Sequence, residues 1–169
     1  DKSMLEQYVR YPINIITEGS FAVSTSKGRP VRDIIAQSFP NSLILGLSAL
    51  GIAICIGVPL GVISAMRKNS WVDWGSMSIA MIGICVPAFT VGPLLQIYIA
   101  AHLPGLKVAG WGSPIDIILP ALTLGLTTAA YLARLTRGGM LEILSQDFIR
   151  TARAKGVPSN ELITRHALR

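Results

Sequence analysis

The chain reads as an all-α, polytopic membrane helix bundle, and three observations carry that reading. First, hydrophobic residues make up 51% of the 169 residues and charged residues 14%, with a mean hydropathy of +0.54. A soluble domain carries about 25% charged residues, and a chain this short cannot enclose a core large enough to explain the deficit. Second, the charges are segregated: none falls within residues 41–66, 75–101 or 117–133. About 20 apolar residues in a row cross the hydrocarbon of a bilayer as a helix, and core helices of soluble domains rarely run so far without a charge. Third, the net charge of +6 is uneven: residues 134–169 hold Arg134, Arg137, Arg150, Arg153, Lys155, Arg165 and Arg169 against Glu142, Asp147 and Glu161. Basic residues beside a span mark its cytoplasmic side.

Residues 1–40 are expected to form an extracytoplasmic loop leading into the bundle. They are mixed in polarity, with turn signals at Glu18-Gly-Ser20 and Ser26-Lys-Gly-Arg-Pro30. A short amphipathic stretch, residues 31–39, then runs along the interface toward the first span. Pro40 suits the start of that span, because it has no amide hydrogen to leave unpaired. Lys27, Arg29 and Arg32 oppose the assigned orientation, which otherwise places the Arg67–Lys68 turn in the cytoplasm and the loop between His102 and Pro114 outside.

Residues 41–133 hold about three transmembrane helices rich in glycine and proline. Gly57 and Gly61 stand four apart around Pro59, Pro87 and Pro93 interrupt the second span, and Pro120 lies early in the third. Small residues let helices approach closely in lipid, and prolines free carbonyls that neighbours or cavity water must satisfy. These six residues are candidates for helix packing or for a translocation path. No Asp, Glu, Lys, Arg or His lies in mid-span, which fits an energy source outside the membrane better than a proton relay. Cys55 and Cys85 lie in apolar spans and read as small buried hydrophobes. His102 and His166 lack a second ligand at metal-binding spacing, and no acids or nucleophiles converge as a membrane-embedded enzyme requires. The chain is expected to be a piece of a longer protein.

Residues 134–169 read as two short helices around a tight turn. Asp147 opens the first, Gly156 suits the left-handed position that ends it, and Pro158 blocks its continuation. Ser159 caps the second, with Glu161 in its first turn. A basic helix–turn–helix knob beside a membrane fits a docking element, but also simple attachment to anionic headgroups, as in a non-transporting scaffold.

The run Ile149-Arg-Thr-Ala-Arg-Ala-Lys-Gly156, followed by Arg165-His-Ala-Leu-Arg169, resembles the coupling-loop motif of permease subunits of binding-protein-dependent dipeptide and oligopeptide ABC importers. The general motif, Glu-Ala-Ala, three residues, Gly, aligns on Gly156 and puts Arg150, Thr151 and Ala152 at its first positions; the departure follows the peptide branch. Residues 31–43, 57–65 and 133–142 also look like that branch. The resemblance implies a type I ABC importer permease-like fold of about six spans, of which this chain would hold the second to fourth. It implies a multi-pass permease of the bacterial cytoplasmic (inner) membrane without catalytic residues or a cofactor of its own. Implied partners are a second permease subunit, two cytoplasmic ATPase subunits that bind the ATP, an extracytoplasmic solute-binding protein, the peptide and the bilayer, with no nucleic acid. Residues 147–169 would couple to the ATPase through Arg150, Thr151, Ala152, Arg153, Ala154, Lys155, Gly156, Arg165 and His166. Nickel and glutathione permeases of the same family look alike, so the cargo stays open.

Overall fold

The computed structural model describes residues 3–19, 21, 23–24, 26–103, 105–107, 110–158 and 161–162. Among these residues every named element is helical; the one extended pairing is an isolated bridge between Val23 and Pro30. Two compact units divide the chain, residues 1–44 and residues 45–169.

In the first unit, helix α1 (Met4–Glu18) is capped by the Ser3 side chain, which accepts from the Glu6 amide, and ends on Gly19 in the left-handed conformation. No residue of α1 is buried, although Met4, Leu5, Tyr8 and Ile16 are large and apolar. Helix α2 (Val31–Met66) begins directly after the bridge and runs unbroken into the second unit. The amphipathic stretch and the first span are thus one helix, and Pro40 stands inside it rather than at its start. A proline there removes one backbone hydrogen bond; the apolar turns that follow are long enough to carry the helix through.

The expected second span is two helices, α3 (Trp71–Cys85) and α4 (Ala88–Leu95), bent by 101° at Val86–Pro87. The residue before a proline is pushed from the helical to the extended region, and Val86 is extended, with ψ 119°. Pro87 then serves as the N-cap of α4, where its missing amide hydrogen is no loss. Pro93 lies within α4, and the helix widens to a π-helical turn over Gln96–Ala100, where the Gln96 amide reaches the carbonyls of both Gly92 and Pro93. A 3₁₀ turn (Pro114–Ile117) leads into α5 (Ile118–Leu144), which continues well past Ala133 into the basic region. Short α6 (Asp147–Ala154) follows after a two-residue break. By length and hydropathy α2 and the segment Pro114–Leu144 can each cross a membrane, and the bent α3–α4 pair makes a third crossing if it counts as one span.

Small residues form the core of the second unit. Ala49, Ala53, Gly57, Gly61 and Ala65 recur every four residues on one buried face of α2. Ala121, Gly125, Ala129 and Ala133 do the same on α5. The two ladders meet in parallel: a Cβ added to Gly57 would stand 2.6 Å from the Ala129 carbonyl oxygen, one on Gly61 2.5 Å from that of Ala133, and one on Gly125 2.9 Å from that of Ala49. Contact between backbones at this range maximises dispersion attraction, the term left when lipid removes the hydrophobic drive between helices. Helix α3 runs antiparallel along α5, with Gly83 against Ala130 and Asp73 against Arg137. The large apolar side chains point outward instead, among them Ile54, Ile56, Ile63, Ile79, Ile82 and Leu124. Cys55 and Cys85 are free and on this outer surface, not buried, because small residues have taken the inner faces.

Candidate functional site: the basic end of the bundle

Helix α6 carries the residues that the sequence singled out. Ile149, 1% exposed, anchors it. Arg150, Thr151, Arg153, Ala154, Lys155 and Gly156 are exposed, and Ala152 is half-buried. One apolar anchor facing inward leaves a cationic outer face. Asp147 and Arg150 approach within 3.6 Å, but both are open to solvent, so the pair adds little.

The end of α6 is sharply built. Gly156 has φ +81°, its amide donates to the Arg153 carbonyl, and the Val157 amide donates to that of Ala152. These two bonds make a Schellman cap, whose left-handed position favours glycine. A Cβ at Gly156 would meet nothing within 4 Å, so space does not demand glycine there; the backbone conformation does. Arg165 and His166 of the expected coupling set, and Ser159 as a cap, lie outside the described residues. Glu161 and Leu162 are helical, and Leu162 is buried. A cavity of about 450 Å³ beside α6 is lined by Ala65, Lys68, Leu141, Leu144, Arg153 and Leu162, among others.

At this same end the structure brings together residues that the sequence reading left apart. Asp73, in the first turn of α3 and 3% exposed, takes a two-pronged pair from Arg137 of α5, with Nε–Oδ1 2.6 Å and Nη2–Oδ2 2.7 Å. The Ser64 hydroxyl of α2 donates to Oδ1, and the Asn69 amide donates to Oδ2 at 2.9 Å. Asn69 reaches that position through a left-handed turn, φ +63°, a conformation asparagine tolerates better than most residues. Both carboxylate oxygens are thus satisfied, and one side chain ties α2, α3 and α5 together. Arg137 counted in the sequence only as a basic residue of the cytoplasmic side. Asp73 after Ser70 reads locally as a first-turn acid, and nothing local signals a partner 64 positions away.

The packing candidates fall into two groups. Gly57 and Gly61 are buried in the α2–α5 seam. Pro59, Pro87 and Pro93 are on the outer surface, and Pro120 is half-buried beside a second cavity at the far end of α5.

Outward apolar helices, an inner seam of small residues and an exposed cationic helix at one end fit an integral membrane helix bundle. The chain belongs to the family of binding-protein-dependent transport system inner membrane components, whose family model matches residues 57–169. It is similar to the dipeptide transport system permease protein DppB of Bacillus subtilis (strain 168), 41% identical over 172 residues covering 100% of this chain and 55% of the relative. The oligopeptide transport system permease protein OppB of Escherichia coli (strain K12) is 42% identical over 169 residues, 98% of this chain and 55% of the relative. The glutathione transport system permease protein GsiC of Escherichia coli O1:K1 / APEC is 40% identical over 169 residues, 100% and 55% respectively. The chain spans about half the length of these relatives.

Proposed function

We propose that the chain is part of the permease subunit of an ATP-driven peptide importer. In this reading the basic end is cytoplasmic, α6 and the residues after it sit against an ATPase subunit, and the helices of the second unit form part of the path. ATP is bound and hydrolysed by two separate ATPase subunits, a second permease completes the pathway, and an external solute-binding protein delivers cargo. The observation that carries the reading is α6: anchored by one buried isoleucine, cationic outward and closed by a glycine cap, at the end of a helix whose family is one of transport components. Likeness to a dipeptide and an oligopeptide permease supports peptide cargo; likeness to a glutathione permease favours glutathione, itself a tripeptide, as the second reading.

Gly156→Asp tests it. The added side chain enters open space, but the left-handed backbone at φ +81° disfavours it, and a carboxylate joins a cationic surface. Membrane insertion is expected to be unchanged while peptide uptake falls at least about tenfold, ~1.4 kcal/mol on the rate scale, with ATPase activity persisting. Normal uptake by this variant defeats the docking role of α6.

A further inference from the structure

Two buried carboxylates flank α5, and they are satisfied very differently. Asp73 has four donors on two oxygens, including a two-pronged arginine. Asp116, at the opposite end of α5, has a side chain 1% exposed, yet its Oδ1 has no hydrogen-bond partner among the described residues. Its Oδ2 accepts from the Ser113 amide at 2.9 Å and from the Lys107 ammonium at 3.3 Å. That ammonium belongs to a side chain 59% exposed. An ionised carboxyl offers about four acceptor sites and is costly to bury with one oxygen unpaired. The Ser113 bond closes the first turn of the 3₁₀ helix and is structural. The Lys107 contact is single-pronged, long and made by a flexible cation that water can recover.

Asp116 also lines a cavity of about 490 Å³, a size suited to a small ligand. Gln96 of the π-helical turn, Lys107, Leu119, Pro120 and Thr123 share that wall. Apolar walls with a buried, half-satisfied carboxylate and an amide side chain suit a molecule bearing a primary ammonium beside an apolar or peptide body. We infer that this cavity is a binding site for the ammonium group of peptide cargo, with Asp116 as its acceptor and Lys107 as a resident ammonium that the cargo displaces. The inference rests on the importer reading above, and places the site the length of α5, about 40 Å, from α6, at the end where cargo would enter. A tethered cation keeps the buried charge compensated while the site is empty, and its solvent exposure makes the exchange inexpensive.

The full-length permease, reconstituted with its partner subunits and a saturating solute-binding protein, provides the test, with Ala-Ala-Ala as probe. Asp116→Asn keeps an acceptor for the Ser113 amide but removes the charge, and is expected to lower uptake about tenfold or more, as loss of a charge-assisted bond implies. Lys107→Ala removes the competitor, and is expected to lower the half-saturating tripeptide concentration several-fold. Opposite signs distinguish a ligand site from a purely structural ion pair, for which both variants lose uptake together; that parallel loss overturns the inference. If Asp116→Asn fails to assemble, the Lys107→Ala direction alone decides. Import by the wild type with no change in either variant removes the site but spares the importer reading, whereas a wild type that imports no peptide removes both.

Discussion

Gly61→Leu is expected to destabilise the second unit by about 3 kcal/mol or more, at the severe end of overpacking substitutions. The position leaves no room: even the first added carbon would stand 2.5 Å from the Ala133 carbonyl oxygen, 2.7 Å from the Thr136 Cβ and 3.1 Å from the Arg137 amide nitrogen. Two of these three are backbone atoms, which cannot rotate away as a side chain tip can. Accommodation therefore requires α2 and α5 to separate along the seam, and separation removes the close contacts that hold helices together in lipid. Gly51→Leu is the control, since a Cβ at Gly51 meets nothing within 4 Å. Thermal unfolding in detergent is the measurement. A clearly lowered midpoint for Gly61→Leu beside a near-native one for Gly51→Leu is the expected pair, and equal midpoints would refute the seam. Because Arg137 follows directly from the crowded stretch, the same variant should also disturb the carboxylate clamp next to it.

Removing one member of that clamp should cost about as much. Arg137→Met leaves the Asp73 carboxylate buried with only a hydroxyl and an amide for company, and breaking a buried pair from one side costs about 3–5 kcal/mol. Asp73→Asn leaves Arg137, whose side chain is 26% exposed, free to reach water in part, so its loss should be smaller. The double variant Asp73→Asn/Arg137→Met has no stranded charge and keeps an acceptor for the Asn69 amide. It should be more stable than Arg137→Met alone, with a coupling energy of about 2–3 kcal/mol in a double-mutant cycle. Strictly additive losses would show that the two side chains do not share the environment described. The clamp joins the start of α3 and the turn after α2 to the stretch of α5 that leads to α6.

Sequence reasoning reaches as far as local causes reach. Membrane residence followed from uncharged runs, because transferring a charge into hydrocarbon is costly wherever it sits in the fold. The end of α6 at Gly156 followed from a glycine before a proline, since left-handed backbone is a single-residue preference. The break at Pro87 was readable as an interruption because a proline restricts the residue before it, but its 101° angle was not, as that depends on how α3 and α4 each pack on α5. Gly57 and Gly61 were readable as small residues on one face; that they meet Ala129 and Ala133 required the second helix.

The two carboxylates mark the boundary best. Nothing near Asp73 in the chain announces Arg137, and nothing near Asp116 announces that one oxygen is buried without a donor. Hydropathy, charge asymmetry and turn chemistry are properties of short windows, and so the amino-acid order alone established a membrane helix bundle with a basic, glycine-capped helix at one end. Asp116 pairs locally, with Ser113 and Lys107, but its burial, like the pairing of Asp73 with Arg137, depends on distant parts of the chain and was settled only when the helices came together.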